Sequence, residues 1–186
     1  MMIAITGTPG TGKTLLAKEL RTKGYEVLDL NQYIKEKGLL EEKDEERDTF
    51  CVDVDSLDVA LDEHRSKEMI FVEGHFSHCV ECDLVIVLRC SPDILAERLR
   101  ERGYSESKVE ENVQAEILDV ILCEADETDA QVWELDLTDT GPEEAARMVE
   151  EILKGNTDKY APGNIDWTGD LEKWFSTSRE EKRTLR

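Results

Sequence analysis

The chain has 186 residues, 39% hydrophobic and 36% charged, which suits one domain of ordinary size with a full core. Its 44 acidic and 23 basic side chains give a formal charge of -21. That balance excludes a broad basic face for nucleic acid and favours a basic protein as any macromolecular partner; it also fits a salty cytoplasm. No run approaches the ~18 apolar residues of a membrane span, so a cytoplasmic protein with its five cysteines reduced is expected.

Residues 2–6 (MIAIT) read as a short buried strand, with no basic stretch ahead of them to make a signal peptide. A Gly-rich turn follows. Residues 13–23 pattern as a helix, with Leu15, Leu16 and Leu20 on one face and Gly24 ending it. Residues 25–29 read as a second strand and 30–38 as a short helix stopped by Gly38. The acidic, poorly periodic segment 40–55 reads as a mobile loop, and 55–66 returns to a helix pattern. Residues 69–73 (MIFVE) and 84–88 (LVIVL) are continuous apolar runs, as expected of strands covered on both faces.

Ser91 and Pro92 supply an N-cap and a first helical residue for a helix reaching about residue 102. Residues 105–125 predict one long helix, 131–137 a last strand and 142–154 a final helix. Strands alternating with helices predict an α/β fold, a parallel sheet with helices on both faces. Beyond Gly155 the texture changes, which divides the chain into a domain at 1–154 and a C-terminal tail at 155–186. Trp167, Trp174 and Phe175 are candidates to pin that tail to the body or to a partner.

The segment 7–14 (GTPGTGKT) matches the phosphate-loop pattern GxxxxGK[ST], between a predicted strand and a predicted helix as that motif requires. Backbone N–H groups of such a loop cradle phosphate oxygens, Lys13 reaches the β- and γ-phosphates of ATP, and the Thr14 hydroxyl serves Mg²⁺. Gly10, Gly12, Lys13, Thr14 and Leu15 are therefore expected to bind ATP, together with Arg102. Glu73 closes a predicted strand, where open α/β sheets bind ligands, and is the expected second metal group beside Thr14, possibly through water. His75 is a candidate to orient a water or relay a proton. His75, His78, Cys79 and Cys82 also form a compact cluster that zinc could use. Phosphoryl transfer needs cations over the phosphates. Arg98 and Arg102, four apart on one helix face before Gly103, supply them, and Arg89 ends a strand at the same edge. No base-reading NKxD motif of a signalling GTPase occurs.

These residues carry a resemblance. The phosphate loop, Glu73-Gly74-His75, and the stretch 97–104 (ERLRERGY) continuing through 111–117 (ENVQAEI) resemble the short adenylate kinases of archaea and eukaryotic nuclei, over residues 3 to about 153. The resemblance implies a P-loop NTPase fold with a five-stranded parallel sheet. It also implies a nucleoside-monophosphate-binding region at about 29–52 and a very short lid at 101–111. It further implies conversion of ATP and AMP into two ADP, ATP hydrolysis, and binding of a basic small-subunit ribosomal protein during ribosome maturation. Two positions depart from the family pattern. Glu73 stands where the family usually has Asp. Lys35 falls where the family grips the monophosphate with Arg, so the expected AMP contact is a point charge without a bidentate fork.

Overall fold

The computed structural model describes residues 1–44 and 49–175. The chain runs β1 (Met2–Thr6), α1 (Lys13–Thr22), β2 (Val27–Asp29), α2 (Leu30–Lys37), β3 (Leu40–Asp44) and β4 (Thr49–Val52). It continues through α3 (Val54–Arg65), β5 (Ile70–Glu73), β6 (Leu84–Arg89), α4 (Pro92–Glu101), α5 (Glu106–Ile117), α6 (Val120–Asp126), β7 (Gln131–Asp136) and α7 (Pro142–Leu153). Five strands form one parallel sheet in the order β2-β5-β1-β6-β7.

Alternation along the central strand divides the core in two. Ile3 and Ile5 of β1 join Leu16, Leu20, Ala145 and Val149 of α1 and α7 on one face. Met2 packs with Leu30, Ile34, Leu57 and Leu61 of α2 and α3 on the other, and Ala4 with Leu122 and Ala125 of α6. Both faces are covered, so the strands need no polar residues, which explains the continuous apolar runs.

Three elements differ from the sequence expectation. Within 40–55, read as a loop, β3 and β4 form an antiparallel hairpin separate from the main sheet. A two-stranded ribbon outside the main sheet leaves little of the apolar alternation by which strands are recognised. The long helix expected over 105–125 is instead α5 and α6, broken at Leu118 and Asp119, where Asp119 takes a left-handed φ of 54°. The break turns the Asp119 carboxylate onto Arg89, an ion pair that an unbroken helix would not make. Ser91 does stand at the N-cap of α4, but its hydroxyl makes no capping bond; its backbone N–H donates to Thr138 Oγ1 at 2.9 Å.

Arg89 is the largest fully buried side chain of the fold and is 2% exposed. Its Nε donates to Glu116 Oε1 at 2.8 Å, its Nη1 to Glu134 Oε2 at 2.9 Å, and its Nη2 to the Glu116 carbonyl at 3.1 Å. Glu116 and Glu134 are themselves buried. A charge removed from such a group strands two carboxylates in a low-dielectric interior. Arg89→Ala is therefore expected to cost about 3–5 kcal/mol of stability in a urea titration; a loss below 1 kcal/mol would show that water reaches the acids and replaces the guanidinium.

Candidate active site

Parallel pairing brings the site together. Ile5 lies opposite both Glu73 and Ile86, and Asp29 lies opposite Glu73. The phosphate loop therefore leaves β1 beside Glu73, which ends the adjoining strand, with Asp29 ending the next strand out, at the sheet edge where ligands of such folds bind. Gly7 has φ 136°, and a Cβ there would stand 2.4 Å from the Leu88 carbonyl oxygen, so only glycine allows the loop to cross β6 so closely. Gly10 has φ 99°, and a Cβ would press on Leu95 at 2.9 Å.

Lys13, the first residue of α1, turns back over the loop, its Nζ donating to the Gly7 carbonyl at 2.5 Å and the Thr8 carbonyl at 3.0 Å. Desolvation pushes its pKa down to about 8; the charges of Glu73 and Glu116 oppose that fall, and Arg102 adds to it. The ammonium is thus held among backbone dipoles with little water. Glu73 is buried, and desolvation, then the charge of Asp29, raise its pKa, against the pull of Lys13, Arg21 and a hydrogen bond from the Thr14 hydroxyl. The Thr14 hydroxyl and the Glu73 and Asp29 carboxylates are hard oxygen donors of the kind magnesium prefers, and the set fits that ion. Asp29 also accepts from Gln32 N–H at 3.0 Å as the N-cap of α2.

Leu15, Gly10, Gly12, Arg98, Arg102 and Leu137 are among the residues lining a cavity of about 400 Å³ between the phosphate loop, the end of α4 and the start of α7. Its two arginines differ. Arg98 donates through Nη2 to the carbonyls of Leu137 at 3.0 Å and Thr138 at 2.8 Å, and through Nη1 to Cys90 Sγ at 3.3 Å. It therefore fastens α4 to the segment after β7. Arg102 is exposed, its side chain makes no hydrogen bond or ion pair among the described residues, and its charge is felt at Lys13. Arg89 does not join them, being committed to the buried acids below the loop.

His75 is exposed in the turn after β5, ring edge to face with Phe76 at 4.7 Å. Desolvation, then the charges of Lys13 and His78, hold it below its ordinary pKa and so neutral at pH 7. The zinc alternative fails on geometry. His78 is buried with both ring nitrogens engaged, Nδ1 with Thr6 Oγ1 at 2.9 Å and Nε2 with Glu124 at 3.1 Å. No three His, Cys, Asp or Glu side chains converge as a metal site among the described residues. Lys35 lies on the exposed face of α2, and no described contact joins it to the phosphate loop.

Three residues of this region escaped the sequence reading. Asp29 carried the same signal as Glu73, an acid closing a predicted strand. Glu116 falls in the stretch 111–117 that carried the family resemblance but had no role assigned to it, and it stands as an acid among the apolar positions Val109, Val113 and Ile117 of α5. Thr8 is a variable position of the loop pattern, yet its hydroxyl donates to Glu116 Oε2 at 2.5 Å.

The tail returns to the body. Tyr160 enters the core beneath α7, and Trp167, Leu171, Trp174 and Phe175 cover the α4–α5 pair. No helix among the described residues is long and apolar enough to cross a membrane.

Comparison with known proteins places this arrangement. Residues 3–119 match the AAA domain family. A protein of Methanocaldococcus jannaschii named "Putative adenylate kinase" is 45% identical over 94% of this chain and 96% of its own. Proteins of the same name from Archaeoglobus fulgidus and Natronomonas pharaonis are 44% and 41% identical, over 92% of this chain in each case and 94% and 100% of their own. Among solved structures, shikimate kinase from Acinetobacter baumannii superposes with a TM-score of 0.58 at 17% identity, covering 83% of this chain and 93% of that one. Deoxyadenosine kinase from M. mycoides superposes at 0.53, also at 17% identity, covering 83% and 100%. Those two likenesses establish the scaffold, and the sequence relatives establish the lineage: the chain belongs to the archaeal adenylate kinase family, a group of P-loop phosphotransferases.

Proposed function

We propose that the protein transfers the γ-phosphoryl group of ATP to AMP, giving two ADP. The observation that carries this reading is the phosphate loop facing Arg102: Lys13 is anchored on the loop carbonyls, and Arg102 stands exposed at the end of α4, lining the cavity that Gly10 and Gly12 of the loop also line. A polyphosphate laid on the loop would meet both cations. In the transfer, an oxygen of the AMP phosphate bonds to the γ-phosphorus while the bond to the β,γ-bridging oxygen breaks. The attacking oxygen is already deprotonated at neutral pH, so no general base is required. Lys13 and Arg102 neutralise the charge that spreads over the transferred oxygens. Magnesium, held through Thr14 and Glu73, would neutralise the β- and γ-oxygens of ATP. Arg98 keeps α4 against the segment after β7 and so positions Arg102. The region of α2, with Lys35, is the proposed monophosphate side.

A second activity, hydrolysis of ATP, is supported by His75. Water, unlike AMP, must lose a proton as it attacks, and a neutral imidazole beside Glu73 can take it. Coupling of this hydrolysis to a basic ribosomal protein accords with the charge of -21.

The two acceptors separate in one assay. ADP should form rapidly only when AMP accompanies ATP, and His75→Gly should reduce the slow AMP-independent hydrolysis more than the transfer to AMP. ADP production indifferent to AMP would leave only an ATPase.

Lys13→Met should lower transfer about a thousandfold or more without loss of thermal stability at pH 7. The sign follows from its pKa. Between pH 8 and 10.5 the unfolded chain holds a Lys13 proton that the folded chain has released, so folding gains as pH rises through that window. Below about 8 the folded state bears the cost of the buried ammonium, which methionine removes. A wild type that outlasts the variant at pH 7 would contradict this.

Arg102→Ala should reduce kcat by about 10²–10³ and leave Tm within a degree or two, whereas Arg98→Ala should lower Tm and kcat together. Parallel effects of the two would mean that the arginines share one role.

A further inference from the structure

Glu116 occupies the last turn of α5, is 3% exposed, and makes more contacts than charge balance requires. Its Oε1 accepts from Arg89 Nε at 2.8 Å and from the Cys90 backbone N–H at 3.1 Å, while its Oε2 accepts from the Thr8 hydroxyl at 2.5 Å. Arg89 has two further carboxylate partners in Glu134 and Asp119. Packing would be served by an apolar side chain, as at Val113 and Ile117 beside it, and buried ion pairs are often replaceable by hydrophobic residues without loss. What the Thr8 bond adds is therefore position.

Thr8 is where the loop's internal bonds meet an external one. Its carbonyl accepts from Lys13 Nζ at 3.0 Å, Thr11 Oγ1 at 2.9 Å and Thr11 N at 3.2 Å, while its side chain reaches out to Glu116. Shifting Thr8 would thus move the seat of Lys13. At the other end, α5 begins at Glu106, directly after the turn that carries Arg102, and packs along α4. Ten residues at 1.5 Å each make α5 a rigid arm of about 15 Å between that turn and Glu116.

We propose that Glu116 is a positioning residue: through Thr8 it keeps the phosphate loop, with Lys13, in register with the α4–α5 arm that carries Arg102. The claim rests on the phosphoryl-transfer reading, in that both cations act on one polyphosphate. It goes further by making their alignment depend on one carboxylate–hydroxyl bond in addition to the anchoring of α4 by Arg98.

The test uses the full-length chain and removes the bond from the hydroxyl side, leaving the Arg89 network whole. Thr8→Val should keep Tm within a few degrees of wild type, lower kcat about tenfold or more and weaken binding of a fluorescent ATP analogue severalfold. Thr8→Ser, which retains the hydroxyl, should restore both. In an Arg102→Ala background Thr8→Val should cost clearly less in kcat than it does alone, because alignment matters only while Arg102 is present. Wild-type kcat and affinity in Thr8→Val, or full additivity with Arg102→Ala, would overturn the proposal and leave Glu116 as a structural partner of Arg89. If the wild type makes no ADP from AMP and ATP, the transfer reading itself fails. The ratio of analogue affinities between Thr8→Val and Thr8→Ser then decides the Glu116 proposal alone: a severalfold ratio supports it and equality sinks it.

Discussion

Everything at the active edge is built around one buried cation. Arg89 ends the strand next to β1, and its guanidinium gathers Glu116 from α5, Asp119 from the turn before α6, and Glu134 from β7. These acids come from elements far apart in sequence. Glu116 and Glu134 would be expensive to bury alone, and the arginine that neutralises them is as deeply buried as they are, while Asp119 is half-buried. The cluster fixes where α5 ends and why the following helix is broken from it. Through Glu134, which accepts the Ile165 backbone N–H at 2.8 Å, it also reaches the tail. The phosphate loop lies directly above and joins the cluster through Thr8. The floor of the site is thus an ionic knot rather than an apolar core.

Charge is distributed against the average of the molecule. The chain carries a formal charge of -21, yet the cavity by the phosphate loop is lined by Arg98 and Arg102 against one acid, Glu101, and Lys13 is seated on the loop itself. Lys13 is partly desolvated, which is unfavourable for the ammonium and makes it a strong partner for phosphate oxygens. Of the opposing carboxylates, Glu73 ends the strand next to β1 and Asp29 the strand beyond it, and burial, then the charge of Asp29, raises the pKa of Glu73. A divalent cation would relieve that repulsion in the same way that a polyphosphate relieves the repulsion between Lys13 and Arg102.

The scaffold alone does not name the acceptor. Shikimate kinase and deoxyadenosine kinase share this fold at 17% identity, and their names already differ in the molecule phosphorylated. What sets this chain beside adenylate kinases is 41–45% identity running through nearly its whole length. The tail is part of the same body, because its aromatic residues lie on the α4–α5 pair and Gln114 Nε2 donates to the Trp174 carbonyl at 2.9 Å.

Sequence by itself determined the elements whose signal is local. The phosphate loop was legible because strand, glycines, Lys13, Thr14 and helix must follow one another without a gap. The three inner strands of the parallel sheet, β5, β1 and β6, were legible because burial on both faces leaves uninterrupted apolar runs, and Glu73 because it closes one of them. Tertiary structure decided what depends on partners distant along the chain. Arg89, Arg98 and Arg102 look alike as letters; only packing sends the first to buried acids, ties the second to backbone carbonyls and leaves the third exposed. The break at Asp119 goes with an ion pair to a residue thirty positions back in the chain, and the hairpin at β3 and β4 with a pairing that its acidic composition conceals. Glu116 shows the reason most plainly. On the apolar face of a helix a lone carboxylate reads as a misfit, and its meaning comes from Thr8, Arg89 and Cys90, which only the folded chain brings within reach.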